Sequence, residues 1–197
     1  PGAVVSATRG AASGLIQRRV GGQATRLIDE HPPPRFGVIG QETTGAGGFA
    51  KALRTVPVVL ELAELTRRRA APGAWIVDFT NPVGIVTQAL LDHGHRALGL
   101  CNVAINIQRT IAERFGVQLN EVELEHVGLN HLSWERAARV NGIDRLAELL
   151  SGDADWLADQ VGSPADLVRA IGAIPSYYLR YYYETGKVVA EQRSGHT

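Results

Sequence analysis

Apolar positions fall into runs that alternate between strand-like and helix-like spacing. Leu15-Ile16 followed by Arg18-Arg19-Val20-Gly21-Gly22 reads as a strand end and a glycine turn. Gln23 to Glu30 fits a short helix, stopped by His31-Pro32-Pro33-Pro34 because proline lacks the helical N–H. Residues 36–48 are too glycine-rich for a regular element and predict a long functional loop. From Phe49 the period becomes helical, with Leu53, Val56, Val59, Leu60 and Ala63 on one face. Pro57 should kink this helix, and Arg67-Arg68-Arg69 suit the negative end of its dipole.

Ala74 to Phe79 and Arg96 to Cys101 read as buried strands, each followed by a helix, Val83 to Leu91 and Ile105 to Phe115. Strand, helix, strand, helix at this tempo predicts an α/β fold with a partial, Rossmann-like parallel sheet. After Trp134 the tempo changes. Ile143 to Leu150 and Pro164 to Ile171 read as amphipathic helices joined by a polar, acidic connection, and all five tyrosines follow within 177–183. The division expected is a partial dinucleotide-binding domain over 1–125 and a mixed, more helical domain over 126–197.

Composition narrows the function classes. Twenty basic and twenty acidic residues cancel, which argues against a nucleic-acid partner. No apolar run approaches the ~20 residues of a membrane span. A single cysteine excludes an internal disulfide framework and suits a reducing, cytoplasmic compartment. A chain with no methionine is expected to be part of something longer.

That cysteine is the first chemical signal. Cys101 closes an apolar run at the carboxyl end of a strand, where open α/β sheets place their chemistry. His131 follows a second strand-like stretch, in Glu125 to His131 (EHVGLNH). Thiolate and imidazole suit a divalent transition metal, with asparagine or water completing an open site. The alternatives are a packed thiol and a hydrogen-bonded histidine. His126 lies within the strand-like stretch, where a structural hydrogen bond is the better reading.

Several words, in order, resemble glycoside hydrolase family 4, in its 6-phospho-β-glucosidase branch. They are Arg19 to Gly22 (RVGG), Gly37 to Phe49 (GVIGQETTGAGGF), Ala52 to Val59 (ALRTVPVV), Phe79 to Gly84 (FTNPVG), Gly99 to Val103 (GLCNV), His126 to Leu132 (HVGLNHL) and Tyr178 to Tyr182 (YLRYY). The resemblance implies a redox-elimination route with NAD and a divalent metal, usually Mn²⁺, rather than the two carboxylates of ordinary glycosidases. Hydride leaves C3 of the sugar, a tyrosinate removes the acidified C2 proton, the metal stabilises the charge, the aglycone departs, water adds and hydride returns.

The resemblance also assigns residues. Cys101 and His131 match the metal ligands, and Asn81 a substrate contact beside the nicotinamide, a role compatible with an Asn-Pro turn. Asn130 matches a contact to sugar hydroxyls, with a turn role equally open. Arg26 matches the arginine that binds the 6-phosphate through its guanidinium fork, with Arg19 as the alternative. Glu42 matches the acid that supports the catalytic tyrosine. That tyrosine is Tyr178, with Tyr182 next; a free phenol titrates near ~10, so its surroundings must favour the phenolate. Asn102 stands where the α-linked branch carries an aspartate general acid, which points to β-linked substrates.

The expected substrate is a small phosphorylated disaccharide or β-glucoside, and the expected assembly a homo-oligomer. The family's N-terminal glycine-rich dinucleotide motif is absent, and Gly45-Ala46-Gly47-Gly48 does not sit between a first strand and helix. The chain therefore reads as a fragment lacking both ends. Two other classes stay open: a lactate/malate-dehydrogenase-like oxidoreductase, from Thr80-Asn81-Pro82-Val83, and an inert fragment that only associates.

Overall fold

A computed structural model describes residues 4–5, 16–17 and 23–195, with side chains from residue 25 onward. They divide into two compact units, one of residues up to Leu100 together with Val189 onward, the other Cys101–Val188.

In the first unit β1 (Val4–Val5) pairs antiparallel with β2 (Ile16–Gln17). Then come α1 (Gln23–Glu30), α2 (Pro32–Arg35), α3 (Gly45–Arg69), β3 (Ile76–Asp78), α4 (Val83–Asp92) and β4 (Ala97–Gly99). Strands β3 and β4 run parallel, Ile76 opposite Ala97, with α4 as the crossover. Val56, Val59, Leu60 and Ala63 of α3, at helical spacing, pack with Ile76, Val86, Leu90 and Ala97. Helix α3 begins at Gly45, four residues before the periodic run, and Pro57 lies within it. The early start needs small residues: a Cβ at Gly47 would sit 2.6 Å from the Gln41 carbonyl oxygen, and one at Gly48 2.7 Å from the Thr43 carbonyl carbon. The outer face of the β3–β4 pair leaves Trp75, Val77, Phe79, Leu98 and Leu100 exposed.

Asp78 is buried on β3 and accepts a hydrogen bond from the Thr80 amide at 2.8 Å. Desolvation nevertheless raises its carboxyl above the usual range. A raised folded-state pKa contributes stability below the unfolded value, and that contribution is lost as pH rises through the folded value. Asp78→Asn should therefore raise the melting temperature at pH 7 more than at pH 4, as thermal denaturation at the two pH values would show.

The second unit holds α5 (Val103–Phe115), β5 (Val122–Leu129), β6 (Leu132–Val140), β7 (Ile143–Asp144), α6 (Leu146–Ser151), α7 (Ala154–Val161), α8 (Ala165–Ile171), β8 (Ile174–Pro175) and α9 (Arg180–Tyr183). Helix α10 (Thr185–Arg193) carries the chain back to residues of the first unit. The sheet is antiparallel: β5 lines one edge of β6, while β7 pairs with Arg139 and Val140 and β8 with Trp134 and Glu135 on the opposite edge. Ile107, Ile111, Val122, Ala138, Val140, Leu149, Leu157, Val161, Val168 and Ile174 form the core.

Three elements here differ from the sequence expectation. Strand β6 has no alternating apolar signature in the sequence, because its inward residues, Ser133, Glu135, Ala137 and Ala138, are polar or small. The acidic connection folds as α7, which buries Ala154, Leu157, Ala158 and Val161 at helical spacing. Ile143 lies in a strand because Asn141 and Gly142, both at positive φ, turn β6 into β7 as a hairpin. The packing division at Leu100/Cys101 reflects α5 lying in the same core as β5 and β6. Among the described residues, no helix is long and apolar enough to cross a membrane.

Gly128 sits near the tip of the β5–β6 hairpin at φ +115, and a Cβ there would lie 2.2 Å from the Leu132 carbonyl oxygen. Gly128→Ala is expected to cost about 2 kcal/mol or more, read from denaturant unfolding, because both the φ and the close backbone approach exclude a side chain.

Candidate active site

The β5–β6 hairpin closes through Asn130 and His131, placing the histidine at φ +67. Left-handed backbone is uncommon for a residue with a side chain and costs about 1–3 kcal/mol where bulk conflicts with it. Cys101 lies two residues beyond β4, and the backbone carbonyl of Asn102 accepts the first bond of α5 from the Asn106 backbone N–H at 2.9 Å. The hairpin brings His131 Nε2 to 3.5 Å from Cys101 Sγ.

Tyr178 completes the cluster. Its ring stacks on that of His131, centroids 3.5 Å apart and planes 12° from parallel. The backbone holds it there: Ser176 N donates to the Ser133 carbonyl at 2.9 Å, and Ser176 Oγ accepts from Tyr178 N at 3.4 Å. Strand β6 thus ties the tyrosine segment to the hairpin that carries His131. Tyr177 and Tyr181 pack around Tyr178 at 6.2 and 6.0 Å, and Arg180 donates to the Tyr177 hydroxyl at 2.7 Å. Tyr182 is exposed.

Burial holds the His131 pKa below its usual value. The imidazole therefore stays neutral, its metal-binding form, at pH values where an exposed histidine is already protonated. Cys101 and His131 fit a divalent ion. At 3.5 Å, the Cys101 sulfur and His131 Nε2 are close enough for both to reach one shared ion. Among the described residues no group of three or more His, Cys, Asp and Glu is suited to a metal, so two protein donors would leave coordination positions for substrate oxygens or water. His126 belongs elsewhere: its Nδ1 lies 2.7 Å from Oε1 of the buried Glu135, a structural pairing across the hairpin.

The first unit holds a separate charged group. Arg26 Nε lies 2.9 Å from Glu30 Oε1 and 4.0 Å from Glu42 Oε2, and Lys51 Nζ lies 2.5 Å from the same Glu42 oxygen. Lys51 was not singled out in the sequence, because its pairing depends on how the loop before α3 folds back. Arg19 lies outside the described residues. Asn81 is half-buried just beyond β3, where a parallel strand of this kind presents its ligand contacts. Its amide offers a donor and an acceptor suited to the nicotinamide end of a dinucleotide. Gly47 and Gly48 form no pyrophosphate cradle, since the space a Cβ would fill is occupied by backbone of Gln41 and Thr43.

The Family 4 glycosyl hydrolase model matches residues 7–117, and the model of the family's C-terminal domain matches residues 126–196. The chain belongs to glycosyl hydrolase family 4. It is 37% identical over 185 residues to a probable 6-phospho-β-glucosidase of Bacillus subtilis, covering 89% of this chain and 42% of that protein. It is 40% identical over 173 residues to the 6-phospho-β-glucosidase BglT of Thermotoga maritima, covering 85% and 41%. A solved structure of the Thermotoga maritima 6-phospho-β-glucosidase with manganese, NAD⁺ and glucose-6-phosphate superposes with a TM-score of 0.79 at 38% identity, over 90% of this chain and 43% of that one. The chain spans about two fifths of the length of the curated relatives it matches.

Proposed function

We propose that this chain carries the metal-and-base centre of an enzyme that hydrolyses small 6-phospho-β-glucosides, with a partial dinucleotide-binding domain over 1–125 and the start of the catalytic C-terminal domain from 126. The observation that carries the reading is the cluster of Cys101, His131 and Tyr178, two metal donors with an aromatic hydroxyl residue stacked on one of them. When bound, NAD would supply reversible hydride acceptance at C3 of the sugar, and Mn²⁺ Lewis-acid stabilisation of charge on the neighbouring oxygens.

The chain's own residues then have defined tasks. Cys101, through its sulfur, and His131, through its imidazole, would hold the ion. Tyr178 takes the proton from C2, its ring orientation fixed by His131 and by the Ser176–Ser133 tie. Asn102 and Asn130 are assigned contacts to sugar hydroxyls, both being exposed amides flanking the metal donors in sequence. Asn102 has no acidic proton to donate, which supports β-linked over α-linked substrates. In the first unit, Arg26 is assigned the 6-phosphate, Glu42 support of the tyrosine's basicity and Asn81 the nicotinamide and substrate. A dehydrogenase of the lactate/malate type has no use for the Cys101–His131 pair. A reducing cytoplasm would keep Cys101 unoxidised and available to a metal, and the exposed apolar face of β3 and β4 supports a homo-oligomer.

The test is hydrolysis of a chromogenic β-glucoside 6-phosphate with and without NAD⁺ and Mn²⁺, alongside glucose 6-phosphate binding. Hydrolysis that needs both additions supports the reading. Hydrolysis that proceeds without NAD⁺ or without metal overturns it.

A further inference from the structure

The loop that carries Glu42 is held by a residue distant in sequence. Gly40 is buried, and its two backbone polar groups both pair with one side chain: Gly40 N donates to Gln192 Oε1 at 3.0 Å, and Gln192 Nε2 donates to the Gly40 carbonyl at 2.7 Å. The amide thus acts as a single rung of a β-ladder on an otherwise irregular segment. Next to it, Arg193 Nε donates to the Pro34 carbonyl at 2.5 Å. From the opposite side the Glu30 backbone presses so closely that a Cβ on Gly40 would lie 1.8 Å from the Glu30 carbonyl oxygen. Two residues on, Glu42 stands between Lys51, at 2.5 Å, and Arg26, at 4.0 Å. The Gln41 carbonyl-type Oε1 gathers the amides of Thr43 and Thr44 at 2.5 and 2.9 Å and so passes the constraint on to the start of α3.

We propose that Gln192 is a positioning residue: by pinning Gly40 it fixes Glu42 between Arg26 and Lys51 and so sets the charge arrangement that receives the sugar phosphate. This rests on the phosphate role given to Arg26 above. The pairing satisfies both Gly40 groups where water cannot replace the amide easily, and its loss leaves a buried donor and acceptor unpaired. Its effect should therefore be local to the loop.

The experiment compares the wild-type chain with Gln192→Leu and Gln192→Glu by amide hydrogen exchange and by calorimetric titration with glucose 6-phosphate. In Gln192→Leu, exchange across residues 40–44 should quicken about ten- to a hundredfold while β5 and β6 exchange as before, and affinity for glucose 6-phosphate should fall about tenfold. Gln192→Glu retains the acceptor for Gly40 N–H and should fall between the two. Loop exchange and affinity within twofold of wild type, or acceleration shared equally by β5 and β6, would overturn the proposal. A wild-type chain that binds no glucose 6-phosphate sinks the phosphate role alone, and the exchange rates then still decide whether Gln192 holds the loop.

Discussion

Tyr178→Phe should lower turnover of a 6-phospho-β-glucoside by about 10²–10⁴-fold, the usual contribution of a positioned general base, and leave metal affinity and folding close to wild type. The substitution removes one oxygen and keeps the ring. Stacking on His131 at 3.5 Å depends on the ring faces, and Ser176 Oγ engages Tyr178 only through its backbone N–H, so the hairpin and the metal donors stay in place. Tyr182→Phe is the matched control: Tyr182 is exposed, and its loss should alter turnover by less than about twofold. Steady-state kinetics beside Mn²⁺ titration separates the outcomes. An active Tyr178→Phe enzyme would assign the tyrosine to packing.

Cys101→Ser and His131→Ala should each weaken Mn²⁺ binding by about 100-fold or more, since losing even an outer-shell partner of a metal ligand costs about 10–100-fold. The same substitutions should change stability by only about 1 kcal/mol if the 3.5 Å contact is otherwise a weak hydrogen bond. His131→Gly sharpens the distinction. At φ +67 glycine is at home, so this variant should match or exceed His131→Ala in stability while binding metal no better. Calorimetry with Mn²⁺ and thermal melts of the three variants read both quantities. Unchanged metal affinity in all three would return Cys101 and His131 to ordinary packing roles.

The parallel β3–α4–β4 unit was legible because Ala74 to Phe79 and Arg96 to Cys101 are apolar runs bounded by turn signals, with a helical period between them. Strand β6 was not, because alternation cannot be seen when the inward residues are Ser133, Glu135 and Ala137. Helix α7 hid for a related reason: its buried stripe includes two alanines, and acidic residues occupy the outer face. Cys101 and His131 stood out by residue type and by the words around them, whereas their 3.5 Å approach depends on a hairpin whose second strand was unread. The Tyr178–His131 stack, the Lys51–Glu42 pair and the hold of Gln192 on Gly40 are tertiary contacts with no local sequence period, so only the folded chain displays them.

The central claim, a metal centre built on Cys101 and His131, is tested most directly by titrating the chain with Co²⁺ and recording its absorption spectrum. Cys101 is the only cysteine, so a thiolate-to-cobalt charge-transfer band can arise from no other residue of the chain. The account predicts a band that saturates at one Co²⁺ per chain, weakens in His131→Ala and vanishes in Cys101→Ser. A chain that shows no such band, or whose band survives Cys101→Ser, would contradict it.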